Sequence, residues 1–204
     1  MEGLQQLVQK NARRLAYAAA LALALAAFAA NTGGSSGLSQ AYGYLSFSFL
    51  CLSLAVSPVR VLFPSFKYNA ALYLARRALG VAAFVFAFLH FALHSFSFYK
   101  GSLQYFPPDL ERFGMALGAI ALAVFFALAA TSFDFAVKKL GRRWFSLHKL
   151  TYLAYLAIIA HACLEGSHFG SLNPYSGSFL LLAAATLLLE AARLWKRRAA
   201  KPAL

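Results

Sequence analysis

Charge is what this sequence has least of. Only 12% of its 204 residues are charged, against 61% hydrophobic, and the mean hydropathy is +0.64. A soluble domain carries about a quarter charged residues, so a soluble globular fold is excluded and much of the chain must face lipid. Acidic residues are scarcer still: 6 Asp and Glu stand against 19 Lys and Arg, for a net charge of +13. In a soluble protein that balance suggests nucleic acid. Here the basic residues cluster between apolar runs, so no nucleic-acid partner is expected. Cysteine is limited to Cys51 and Cys163, with no Cys-x-x-Cys and no Cys-x-x-Cys-His. That argues against covalent haem attachment and a thiolate zinc site. The two cysteines are expected at different depths and unbridged. No Gly-x-Gly-x-x-Gly occurs in a strand–turn–helix setting, so no nucleotide-binding unit is read.

What is present is long apolar segments. A spanning helix needs about 20 mostly apolar residues, and six stretches qualify: roughly 13–30, 41–63, 77–98, 112–133, 147–165 and 176–195. Turn residues or charges bound each one, among them Gly33-Gly34-Ser35-Ser36-Gly37, Ser57-Pro58, Pro64, Pro107-Pro108 and Asn173-Pro174. The expected fold is all-α, a polytopic membrane protein with a six-transmembrane-helix bundle forming a single domain over 1–204. The first segment has signal-peptide features, with Ala27-Phe28-Ala29 as a cleavage-like site, but is read as a retained helix. If the N-terminus is cytoplasmic, the inner segments carry 17 of the 19 Lys and Arg, leaving only Lys100 and Arg112 outside. The positive-inside rule therefore gives N-in, C-in, and accounts for the positive charge through membrane lipid alone.

Four of the five histidines lie in or at the ends of two of these segments: His90 and His94 in the third, His148 and His161 in the fifth. Ionisable side chains are costly inside a bilayer, so intramembrane histidines are functional candidates. Neutral imidazole is a common ligand of metals and of haem iron. At 1.5 Å per residue, His90 lies about 20 Å in from Arg77 and His94 about 26 Å. From Arg143, His148 lies about 8 Å in and His161 about 27 Å. Depth therefore matches His161 with His94, with His90 one turn below. A bis-histidine haem site is available near the outer face, using His161 with His90 or His94. The remaining histidine would hydrogen-bond a propionate or a substrate. His148 suggests a second, inner haem but has no partner of matching depth. His168, in the outer loop, is read as solvated. Zinc is the weaker alternative, with only Cys163 and Glu165 near as further ligands. Asp134 and Glu190 are placed near the inner helix ends, within reach of water. Phe96 and Phe98 fit a haem wall or plain packing.

Several runs carry a resemblance. Arg76-Arg77-Ala78-Leu79-Gly80 followed by Phe88-Leu89-His90, Lys139-Leu140-Gly141-Arg142-Arg143-Trp144 followed by Leu147-His148-Lys149, Tyr152-Leu153, Ala160-His161 and Ser57-Pro58-Val59-Arg60 are similar to motifs of the MsrQ (YedZ) family. That family lies within the ferric-reductase-like transmembrane family, and the match covers most of residues 45–165. The resemblance implies a six-helix b-type cytochrome holding haem b, one or two copies, with His90, His148 and His161 at haem-associated positions. It also implies electrons passing to a periplasmic enzyme that repairs oxidised methionine. His94 stands where MsrQ often has tyrosine. The oxidase and metalloreductase branch has a histidine there, and an earlier histidine about where Ala75 stands in this chain.

The functional expectation is an electron-transfer membrane subunit, part of an oxidoreductase in a bacterial inner membrane. A quinol or a separate cytoplasmic flavin reductase would supply the electrons, and FMN or quinone are further cofactor candidates. Arg76-Arg77 and Lys138 to Lys149 would dock a reductase or a flavin phosphate, or serve only topology and lipid headgroups. A competing reading is a non-catalytic membrane anchor or assembly subunit that docks through the outer loops 99–111 and 166–175. A small transporter is a third class, disfavoured because paired broken helices and a mid-membrane acid are missing.

Overall fold

The computed structural model describes residues 2–100, 110–166, 169 and 174–200. Among these residues the secondary structure is helical: α1 (Glu2–Ala29), α2 (Gly34–Leu62), α3 (Asn69–Tyr99), α4 (Phe113–Ala130), α5 (Asp134–Leu140), α6 (Arg142–Leu147), α7 (Leu150–Glu165) and α8 (Pro174–Ala199). Among the described residues, six spans are long and apolar enough to cross a membrane: α1, α2, α3, α4, the run Arg142–Glu165 and α8. The chain is a multi-pass membrane protein. His168 and most of the two loops opposite the termini lie outside the described residues.

The helices outrun the apolar segments that announce them. α1 begins at Glu2 and α3 at Asn69, because a helix satisfies its own backbone in water as well as in lipid. Hydropathy marks only the part in hydrocarbon. The extension of α1 is tied down where Gln5 Nε2 donates to the Lys67 carbonyl at 2.8 Å. Asn31 organises the first turn, with Nδ2 donating to Gly34 O at 2.7 Å and Oδ1 accepting from Gly33 N at 3.2 Å. Gly34 enters α2 at φ +64°, a conformation in which a side chain would be strained.

The fifth span is broken. His148 caps α6, and i to i+3 backbone bonds at Lys149 and Thr151 separate it from α7. Trp144 Nε1 pins this corner by donating to the Thr131 carbonyl at 2.9 Å.

α2 is the central helix. Phe47, Leu50, Cys51 and Leu54 are almost fully buried, and Phe47 stacks on Phe179 with centroids 4.1 Å apart. α2 meets antiparallel α3 through a ladder of serines seven residues apart. Ser39 Oγ donates to His90 O at 3.0 Å, Ser46 Oγ to Ala83 O at 2.9 Å, and Ser53 Oγ to Arg76 O at 3.2 Å. Small residues let membrane helices approach closely, and hydroxyls bond across the seam. α1 packs on α3 through Ala12, Ala16, Ala71, Ala75 and Ala78. The outward faces are apolar, with Leu181, Leu188 and Phe126 well exposed, as lipid-facing surfaces require. Phe96 and Phe98 belong to this outer surface, at 67% and 64% exposure. Phe96 is thus turned to lipid, while Phe98 also stacks on His94.

The end of the bundle that carries the termini also carries the basic clusters. There Arg77 of α3 pairs with Asp134 at 2.5 Å and donates to Ser132 O at 3.2 Å, and Arg13 of α1 approaches Asp134 at 3.6 Å. Asp134 is exposed, as the sequence suggests. Glu190 is not: only 9% exposed, it is ion-paired to Arg193 at 2.6 Å and accepts from Tyr152 Oη at 3.1 Å. Its neighbours supply what water was expected to supply.

Candidate functional site

Three of the four candidate histidines come together at the end opposite the basic clusters. His90 and His94 lie one turn apart on α3, with ring centroids 6.4 Å apart. His161 of α7 faces His90, also at 6.4 Å between centroids and with the ring planes at 74°. His94 stacks on Phe98 at 4.4 Å. All three are half-buried.

The surroundings dictate how two of these rings point. His90 Nδ1 donates to the Ser39 carbonyl of α2 at 2.8 Å, with Ser39 Oγ at 3.1 Å from the same nitrogen. His161 Nδ1 donates to the Gly114 carbonyl of α4 at 2.9 Å. A carbonyl can only accept, so Nδ1 carries the proton in both rings and Nε2 keeps its lone pair. Anchoring one ring nitrogen on a backbone carbonyl while the other is left to ligate is the usual second-shell arrangement of metal-binding histidine.

Glycines make room for both rings. A Cβ on Gly43 would stand 3.0 Å from His90 Nδ1, and one on Gly118 would stand 2.8 Å from His161 Nδ1. Neither glycine is at a turn; each lies inside a helix, where glycine costs roughly 1 kcal/mol relative to alanine. Accommodation of the imidazoles is their physical reason. Sequence reading missed these two glycines, together with Ser39 and Gly114. The serine period of seven was a signal available for Ser39.

The pair suits a metal that brings most of its own ligands. Among the described residues, no group of three or more His, Cys, Asp and Glu is arranged to hold a bare ion. Glu165 is taken by Arg112, which removes the nearest carboxylate from a zinc reading. With metal–imidazole bonds of about 2 Å, two axial rings stand roughly 6 Å apart. The observed spacing, the Nδ1 anchors and the glycine cradles fit a bis-imidazole haem.

His148 stands apart. It precedes α7, and His161 lies eleven residues beyond Leu150 in that helix, about 16 Å of rise. The His148 ring stacks on Trp144 at 3.8 Å, and Nδ1 donates to the Trp144 carbonyl at 3.1 Å. On α3, the inner position at Ala75 is buried against α1.

The chain is 38% identical over 120 residues to the protein-methionine-sulfoxide reductase heme-binding subunit MsrQ of Brucella ovis, covering 58% of this chain and 52% of the relative. The subunits of the same name from Brucella canis and Brucella melitensis show the same identity and coverage. The chain thus spans about half the length of the curated relatives it matches. No solved structure matches significantly. The model of the ferric reductase like transmembrane component matches residues 42–159, which includes His90, His94 and His148, ends two residues before His161 and covers more than half of the chain. The chain belongs to the ferric reductase like transmembrane component family.

Proposed function

We propose that this protein is a b-type cytochrome subunit of a bacterial inner membrane, holding haem between His90 and His161 and passing electrons across the bilayer. The carrying observation is the facing pair, each ring with Nδ1 bonded to a carbonyl and Nε2 left with its lone pair free to ligate. Bound haem would supply the one-electron carrier, and two imidazole ligands favour electron transfer over oxygen chemistry. Ser39 and Gly114 would hold the two imidazoles in register, and Gly43 and Gly118 would leave them space. His94, one turn from His90, would meet a propionate or an acceptor rather than the iron.

The positive-inside rule puts both termini in the cytoplasm and the histidine pair near the outer face. Electrons would leave toward an extracytoplasmic partner, and the relatives' name points to a methionine sulfoxide reductase. A quinol or a flavin reductase would supply them at the basic end. His148 marks the inner side, but α1 fills the face of α3 around Ala75, which supports one haem rather than two.

The test is a pyridine haemochrome assay against protein concentration on detergent-purified protein. One reducible, low-spin b-type haem per chain is expected, and His161→Ala should remove it. Full haem content in His161→Ala would overturn the assignment. Haem-free wild type that copurifies with a partner would favour an anchor or assembly subunit.

A further inference from the structure

Beside His161 lies an ion pair with no part in the pairing described so far. Glu165 is the last residue of α7 and Arg112 the residue that caps α4. The Arg112 guanidinium is bonded to the Glu165 carboxylate, and the Glu165 side chain is only 12% exposed. Between them sits Gly114, whose carbonyl accepts the His161 Nδ1 proton. The space where Gly114 lacks a side chain is occupied by Glu165: a Cβ there would stand 2.6 Å from both Cγ and Oε1. His161 and Glu165 are four residues apart and so share one face of α7. That face meets α4 at consecutive points: Glu165 on Arg112 and Gly114, and His161 on Gly114 and Gly118. Both partners of the ion pair stand at helix ends, the places that fray first.

From this geometry we propose that Arg112 and Glu165 are positioning residues that clamp the first turn of α4 against α7 and thereby set the hydrogen bond from His161 Nδ1 to Gly114. The inference rests on the reading of His161 as an axial ligand. A second-shell acceptor raises the basicity of a ligating imidazole. A firmly held Gly114 carbonyl therefore favours the oxidised iron and lowers the potential. Release of the clamp weakens that bond and raises the potential.

The sign of the effect separates positioning from plain charge. Removing the negative charge of Glu165 raises the potential on either account. Removing the positive charge of Arg112 lowers it if charge alone acts, because the oxidised state is then less opposed. It raises it if the clamp acts through His161. The experiment is a redox titration of the haem in detergent-purified full-length wild type, Arg112→Gln and Glu165→Gln, with the low-spin ferric EPR signal recorded on each. Both variants are expected to retain haem, to shift the midpoint potential upward, and to change the EPR signal as the His161 ring is freed to turn. Arg112 is 59% exposed, so its variant has little reason to misfold. A potential that falls or stays put in Arg112→Gln, with haem bound, overturns the clamp alone. Wild type without haem overturns the haem reading, and this inference with it.

Discussion

His90 and His161 face each other across the bundle with ring centroids 6.4 Å apart, although counting residues from the basic ends places His161 level with His94. The pairing makes a sharp prediction about three single variants. His90→Ala and His161→Ala should each lose the low-spin b-type spectrum, since one imidazole cannot replace two axial ligands. His94→Ala should keep it, with any loss of affinity below the roughly ten- to hundred-fold range seen for second-shell changes. Haem content per chain after purification reads this directly. Loss of haem in His94→Ala with retention in His90→Ala would reverse the assignment.

The glycine cradles give a second prediction, independent of any ligand change. Gly118→Ala places a methyl 2.8 Å from His161 Nδ1, closer than atoms normally come, and Gly43→Ala places one 3.0 Å from His90 Nδ1. Each must push its imidazole from its carbonyl partner. Haem affinity should fall by roughly ten- to hundred-fold, more in Gly118→Ala than in Gly43→Ala. Gly177→Ala, where the added methyl meets nothing within 4 Å, should leave haem content unchanged. Haem titrations on the three variants check the order.

Much of this was legible in the sequence, and what was not has physical causes. Six apolar runs announce six spanning helices because lipid tolerates no other open-ended element. The histidines announce themselves because they are costly there. Sequence alone leaves His161 with either His90 or His94, and depth counting leans to His94 because it assumes straight, upright helices. α3 has 31 residues, about 46 Å of helix, so its length exceeds a hydrocarbon core of about 30 Å and depth no longer follows residue number. The fifth span breaks at His148 and Lys149, so its count does not start at Arg143. Glu190 stands near the inner end of its helix, where position alone suggests water, but Arg193, one turn on, pairs with it inside the bundle. The acceptors of the Nδ1 protons are backbone carbonyls, which carry no residue signature.

Asp134 links pH to the packing of α1 and α3. The hydrogen bond and charge of Arg77, with Arg13 farther off, hold its carboxyl below the ordinary aspartate range. A carboxyl depressed in the folded state adds stability that is complete above its unfolded value, about 4, and is lost as pH falls through the folded value. The contribution is therefore constant through neutral pH and disappears only in acid. Asp134→Asn should lower Tm slightly at pH 7, more at low than at high salt because the pair is exposed. The gap from wild type should close below about pH 4. A gap that widens on acidification would contradict the pairing.

The serine ladder between α2 and α3 separates packing from hydrogen bonding. Ser46 donates to the Ala83 carbonyl, which lies inside α3 and already has a partner in its own helix. Ser46→Ala thus strands no buried group, and membrane hydroxyl bonds of this kind average about 0.6 kcal/mol. Ser46→Leu instead forces bulk into a seam where Ser46 is 5% exposed. Overpacking costs about 1–3 kcal/mol, so the leucine variant should unfold well before the alanine variant in a denaturing-detergent titration. Ser39, the rung at the histidine end, should behave differently. Its hydroxyl lies against both the His90 carbonyl and Nδ1, but the Nδ1 proton goes to the Ser39 main-chain carbonyl, which no side-chain change removes. Ser39→Ala should therefore cost as little stability as Ser46→Ala and leave haem bound. It should nonetheless shift the ferric low-spin EPR signal as the His90 ring relaxes, a change that Ser46→Ala, two turns away, should not produce.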